Sequence, residues 1–281
     1  MNIKPISIET HRKWHYRGLN HYLHTKKDAV VPIVIAEIGR LVSTNPIIFL
    51  EENNKVGLYS LQGLLPNNNL MINEQGIWLG DYIPARYRSL PFVLASNSEK
   101  KNEEEKILCY LDDLNCVAEK FDVSSTPLFD DAGILSENMK RVFEFLQSIE
   151  SNEVITQNAL SSIDKADLLE DWTIALKLTD GEKKMTGLKR INITKLKALP
   201  AGTLEDLNKS GGLDVCFASH LSLNNIEKLK QIVIDRSSDE GNNNQTKETK
   251  SLREQTLEKQ KKVQKEEMDI LVKDLLLDDE I

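Results

Sequence analysis

The stretch from Gly80 to Leu94 constrains the chain most: Gly-Asp-Tyr-Ile-Pro-Ala-Arg-Tyr-Arg-Ser-Leu-Pro-Phe-Val-Leu. Pro84 and Pro91 each fix φ near about −65° and each removes a backbone donor. Arg86, Tyr87 and Arg88 lie between them, and an apolar run from Phe92 to Ala95 follows that reads as a buried strand. A turn, a polar crossing and a return to the core therefore fall within one short segment. The rest of the fold is expected to pack around it as an interior crossing.

Before this segment, short apolar runs alternate with turn signals. Val30–Ala36 is rich in β-branched residues, and Pro32 demotes it to an edge strand or a strand start. A short helix is expected over Glu37–Ser43. Asn45-Pro46 turns into a strand through Leu50, Glu51–Lys55 forms a hairpin loop, and Val56–Leu61 returns. Leu70–Ile72 and Ile77–Leu79 flank a further loop. Residues 30–95 thus read as an antiparallel β region. Ile107–Leu111 fits either a strand or a helical face, and periodicity does not arbitrate.

The second half reads as mainly helical. Met139, Val142, Phe143 and Leu146 mark an amphipathic helix over Ser136–Ile149, with Ser136 as N-cap. A second helix is expected over Thr156–Leu169. Trp172–Leu178 alternates as a half-buried strand, Asp180-Gly181 is a hairpin turn signal, and Met185–Ile191 returns. Thr194 is a candidate N-cap for a short helix, Pro200 interrupts, and Ser210-Gly211-Gly212 stops the next one. Leu213–Leu221 is helix or buried connector, and Ser222 is expected to cap a helix over Asn225–Ile234. After about residue 236 the composition changes to a polar linker with little to bury. It leads to a charged segment whose stripe of Met268, Leu271, Val272 and Leu275 can dock on a partner or remain a solvated helix face. The domains expected are a globule over 1–235 and a charged linker and helical tail over 236–281. The fold class is α+β: an antiparallel β-rich N-terminal half packed with C-terminal helices and a β-hairpin, plus a helical or disordered tail.

The net charge is −8, about half of it carried after Ile234. It argues against non-specific binding to nucleic acid. Three cysteines without close spacing point to reduced thiols and no disulfide framework. No apolar run approaches the ~18 residues of a membrane span, and the N-terminus carries no apolar signal-peptide region. The expected setting is cytoplasmic, with the cell surface by a non-classical route as the alternative.

Four of the five histidines fall in the first 28 residues. His11 with His15, and His21 with His24, have helix-face spacing compatible with metal ligation. No carboxylate or cysteine completes a site, so a surface arm without metal is expected, and no cofactor. Asp130-Asp131 reads as a solvated loop or a cap. Nothing supplies a nucleophile with its base, a glycine-rich phosphate loop or zinc spacing.

Several ordered motifs resemble the SapC family of bacterial proteins, named after a protein associated with a surface-layer gene system. They are Pro5 with His11-Arg12, Pro32 and Glu37, Asn45–Phe49, and Trp78 followed by Tyr82-Ile83-Pro84-Ala85 and Pro91–Leu94. Leu128-Phe129-Asp130 with Gly133, Asp180-Gly181, Gly187-Leu188, Ile191, Leu196 with Leu199-Pro200, Leu207 with Gly211, and His220–Leu223 continue the series. The resemblance implies an α+β accessory protein with no established catalytic residues and a link to a surface-layer or secretion system. The binding candidates are Tyr82, Arg86, Arg88, His11, Glu37 and His220, with a protein partner on the C-terminal tail. The alternative is an enzyme of unrecognised type, for which His11, Glu37, Arg86 and His220 would have to converge on one pocket.

Overall fold

The computed structural model describes residues 2–53, 55–96, 106–121, 125–178 and 181–239. Residues 97–105, the Asp180 of the Asp-Gly signal and the stripe from Met268 to Leu275 lie outside the described residues. Contacts divide the chain into a unit Met1–Ile234 and a unit Asp235–Ile281. Of the second, only the end of one helix, to Asp239, is described.

The elements run in the order β1 (Ile3–Pro5), α1 (Ile8–His11), β2 (His15–Tyr16), β3 (Val30–Pro32), α2 (Ile38–Leu41), β4 (Ile47–Glu52) and β5 (Lys55–Leu61). Then come α3 (Ala85–Arg88), β6 (Phe92–Ser96), β7 (Lys106–Leu111), β8 (Val117–Ala118), β9 (Thr126–Pro127) and α4 (Glu137–Lys165). The chain continues through β10 (Leu169–Leu178), β11 (Gly181–Ile191), α5 (Ile193–Lys197), α6 (Ala201–Lys209), α7 (Gly212–Ser222) and α8 (Ile226–Asp239). Antiparallel sheets combined with helices make this an α+β fold.

The main sheet has the order β10-β11-β4-β5-β3, with every pairing antiparallel. The late hairpin β10–β11 therefore extends the sheet begun by β4 and β5. Phe49, Ile47, Ile48, Leu58 and Leu61 from this sheet are packed with Leu160 and Ile163 of α4 and Val215 and Cys216 of α7 in the largest apolar cluster. Pro46 ends the preceding turn, and two serines of α7 serve the start of β4. Ser222 Oγ accepts from Ile47 N at 2.8 Å and Ser219 Oγ donates to Ile47 O at 2.8 Å. Ser222 is thus a buried link between helix and sheet, not the helix cap expected from sequence. A 3-10 turn over Leu223–Asn225 separates α7 from α8.

A second cluster joins Phe92, Tyr110, Val117, Leu128, Met139 and Leu146. It lies with the sheets β1-β7-β6 and β8-β2-β9. Ile107–Leu111 resolves as strand: β7 is the central strand, paired on both sides, and its last four residues are buried. The run Phe92–Ala95 is an edge strand of which only Phe92 is fully buried, a correction to the buried strand expected. The N-terminal segment is likewise no surface arm. β1 pairs with β7 and β2 with β8 and β9, so the first sixteen residues are built into two sheets.

Four further sequence readings change. The two helices expected over 136–169 are one helix, α4, of 29 residues. Nothing between Ser151 and Val154 breaks a helix, and the buried side runs on through Leu146, Ile149, Thr156, Ala159 and Ile163. Ser136 precedes α4, but its hydroxyl donates to Pro127 O at 2.6 Å instead of capping. α5 is capped by Asn192, whose Oδ1 accepts from Lys195 N at 2.9 Å, and not by Thr194. Leu70–Ile72 and Ile77–Leu79 meet at a single bridge, Ile72 to Trp78, instead of forming strands.

Candidate functional site

The geometry starts from backbone donors that regular structure leaves unpaired. After β3 the chain leaves the sheet edge and winds into a 3-10 turn, Ile35–Glu37, whose first N–H groups have no partner within the turn. Two side chains supply the acceptors. Glu37 Oε2 accepts from Val34 N at 3.0 Å, and Thr156 Oγ1, from α4, accepts from Ile35 N at 2.8 Å. The first of these is the back-reaching half of a capping box.

The other oxygen of Glu37 reaches the Gly80–Leu94 segment. Oε1 accepts from Ala85 N at 2.7 Å and from Tyr82 Oη at 3.1 Å. Tyr82 Oη in turn accepts from an Arg88 terminal nitrogen at 2.8 Å. The Arg88 guanidinium lies 5.1 Å from the Tyr82 ring centroid and 5.3 Å from that of Phe145. Glu37 is 4% exposed, so its charge is held in the interior by three donors and a neighbouring cation. Burial is the largest influence and pushes its carboxyl above the ordinary 4.5, while the Ala85 and Val34 N–H groups, Arg88 and Tyr82 pull it back. Burial likewise raises the Tyr82 phenol, with the Glu37 charge adding to the effect.

The remaining aromatics fix the same turn. Trp78 Nε1 donates to Tyr82 O at 3.1 Å, and the Trp78 and Tyr87 rings meet edge to face at 5.7 Å. Tyr87 Oη donates to Asp28 Oδ2 at 3.0 Å. Pro84 begins the single turn α3: Tyr87 N and Arg88 N both bond back to Pro84 O. Tyr82, Ala85 and Tyr87 are buried, Arg88 is half-buried and Arg86 is exposed. The segment is the interior crossing the sequence suggests, with one arginine left outside.

Beside this turn lies a cavity of about 200 Å³. Its walls are Pro32–Val34 with Glu37, Gly57–Tyr59 of β5, Ala85 and Arg86, and Ile149, Glu153, Thr156 and Gln157 of α4. Gly57 is needed at this wall. A Cβ there would come within 2.6 Å of the Tyr59 ring, which folds back over it.

The six candidate residues divide between three places. Glu37, Tyr82 and Arg88 form one hydrogen-bonded network, and Glu37 and Arg86 line the cavity. His11 lies at the second cluster, 6% exposed, with its ring edge to face with Trp14 at 4.7 Å and Tyr110 at 5.7 Å. Burial pushes its imidazole below the ordinary 6.5. His220 is exposed on α7. His11, Glu37, Arg86 and His220 therefore do not converge.

The first-half histidines do not form the helical pairs that spacing permits. His11 ends α1, His15 is in β2, and His24 is in a separate 3-10 turn. Among the described residues no group of three His, Cys, Asp or Glu is placed to hold a metal ion. Asp130 serves its own loop, with Oδ1 accepting from Ile134 N at 2.9 Å. No helix among the described residues is long and apolar enough to cross a membrane.

The α4 contribution to the cavity escaped the sequence reading, because splitting α4 in two put Glu153 in a linker and Thr156 at a helix start. Gly57-Leu58-Tyr59 carried the one available signal, a glycine inside a strand pattern, which marks a close approach.

No curated protein and no solved structure matches the chain. The family model SapC matches residues 6–229, a span that includes every residue of the network and the cavity. The chain belongs to the SapC family.

Proposed function

We propose that this chain is a non-enzymatic accessory protein that binds its ligand in the cavity beside the Tyr82–Arg88 turn, in the service of a bacterial surface-layer or secretion system. The observation that carries the binding reading is the cavity itself, walled by a turn that Glu37 holds in place. The non-enzymatic part is supported by how Glu37 is used. Both of its oxygens are engaged by backbone and phenol donors, which fill three of a carboxylate's roughly four acceptor positions and tie it to the turn. Neither histidine that could act beside it lies at the cavity. The surface-layer link rests on the family's name alone, which is an association and not a physical warrant. Three free, buried thiols support a reducing, cytoplasmic setting. A protein partner on the C-terminal stripe completes the proposal and rests on the sequence pattern.

The test is native purification of the full chain from the cells that make it, followed by denaturing release and mass spectrometry. A compound retained by wild type, absent from an Arg86→Gln/Glu153→Gln variant and chemically unchanged on prolonged incubation is expected. Equal retention by the variant contradicts the site, and turnover of the compound contradicts the non-enzymatic role. Fractionation with immunodetection tests the compartment, with the cytosolic fraction expected to hold the chain.

A further inference from the structure

The polar atoms around the cavity fall into two sets. The inner set is already committed. Glu37 accepts three hydrogen bonds, and Thr156 Oγ1 accepts from Ile35 N while donating to Asn152 O at 2.7 Å. With three of the roughly four acceptor positions of Glu37 filled, a polar group pushed against these atoms would gain little and would lose its water. The inner end of an occupant must therefore be apolar, to match Ile33, Val34, Leu58, Ala85 and Ile149.

The outer set is uncommitted. Arg86, Glu153 and the neutral Gln157 are exposed and line the cavity, and the first two carry its charges. Among the described residues neither Arg86 nor Glu153 has a side-chain ion-pair or hydrogen-bond partner, and they do not pair with each other. A guanidinium is a carboxylate receptor and a carboxylate is an ammonium receptor. The volume, about 200 Å³, falls below the roughly 300–1,000 Å³ of sites that enclose drug-sized ligands. The occupant is thus small, apolar at one end, and bears both charges at the other.

We infer that the cavity takes a free apolar α-amino acid, with its side chain among the aliphatic residues, its carboxylate at Arg86 and its ammonium at Glu153. The inference rests on the cavity being the recognition site and names the ligand class for it. The same apolar side chain with a single charge occurs at the end of a peptide, and the two sources separate by experiment because only the free amino acid carries both charges on one residue.

The test is calorimetric titration of the full chain with L-leucine, L-methionine and L-phenylalanine. The comparison ligands are 4-methylpentanoate, isoamylamine, and the dipeptides Leu-Gly and Gly-Leu. Saturable binding of at least one amino acid at one site per chain is expected, weakened about tenfold or more when either charge is missing from the ligand. Arg86→Gln should weaken the amino acid and 4-methylpentanoate but leave isoamylamine unchanged. Glu153→Gln should weaken the amino acid and isoamylamine but leave 4-methylpentanoate unchanged. Both residues are exposed, so an unchanged thermal midpoint verifies that each variant is folded. Absence of saturable binding at millimolar concentration overturns the inference, as does equal affinity for a dipeptide or for a singly charged analogue. A different compound recovered by mass spectrometry from the purified chain, and lost from the double variant, would overturn the ligand class while leaving the recognition site in place.

Discussion

A carboxylate that is 4% exposed is tolerated in a protein interior only if its oxygens are hydrogen-bonded, and at Glu37 both are. Glu37→Gln keeps the volume but converts one acceptor oxygen into a donor that faces backbone N–H or Tyr82 Oη. It should cost about 2–4 kcal/mol in urea unfolding. The pH dependence has a definite sign. Burial raises the folded-state pKa of Glu37 above the ordinary 4.5, so above 4.5 the folded chain holds a proton that the unfolded chain releases. Stability therefore falls as pH rises through that window, and Glu37→Gln should remove this fall. His11 behaves in the opposite sense. Its folded-state pKa lies below 6.5, so as pH drops below 6.5 the unfolded chain takes up a proton that the folded chain does not. That loss of stability on the acid side should flatten in His11→Phe when midpoints are compared across the range. Tyr82 and Arg88 were legible as candidates because a buried-looking segment with arginines is unusual, and Glu37 only through the family resemblance. Their roles were not, since they rest on contacts between residues up to 48 positions apart that no local sequence pattern records.

At the scale of elements, α4 is the part that sequence periodicity misjudged. Met139 and Leu146 belong to the second cluster, Ile149 packs with Val34 and Ala85, and Ala159, Leu160 and Ile163 belong to the first. Each stretch looks like a separate amphipathic helix, because the partner changes along the length and the apolar stripe drifts with it. Asn152→Pro would remove a main-chain bond in mid-helix and should cost about 3 kcal/mol or more by urea unfolding. A milder test lies where α4 meets α7. A Cβ at Gly212 would come within 2.7 Å of Ser162 Oγ and 2.9 Å of Leu207 Cδ2. Gly212→Ala should cost about 1–3 kcal/mol from overpacking, read as a lower thermal midpoint. The β4–β5 hairpin and the β10–β11 hairpin were readable from alternation and turn residues. That they share one sheet was not, because the β11–β4 pairing joins Leu188 to Leu50 and Lys189 to Phe49, residues far apart in the chain. His11 was misplaced for a related reason: β1 and β2 are too short to signal strands, and they are ordered by β7, β8 and β9.

For the molecule as a whole, α4 running through every apolar cluster implies that the clusters of the first unit open together. The three thiols report on this. Cys216 lies in the first cluster, with its thiol pushed up to about 12 by burial, while Cys109 is buried on β7 and Cys116 just before β8, strands that contribute Tyr110 and Val117 to the second. Native-state labelling with a maleimide should be slow at all three and should rise at one common urea concentration, whereas earlier labelling of Cys109 and Cys116 would mean that the second cluster opens alone. The family's span over residues 6–229 takes in nearly all of these clusters and the whole lining of the cavity that the Glu37-held turn encloses on one side. That turn is the basis of the binding proposal, and amide hydrogen exchange at Val34 and Ala85 in wild type and Glu37→Gln tests it most directly. Both amides should exchange as slowly as those of β4 in wild type and sharply faster in the variant, while β4 itself is little changed; equal rates at Val34 and Ala85 in the two proteins would contradict the account.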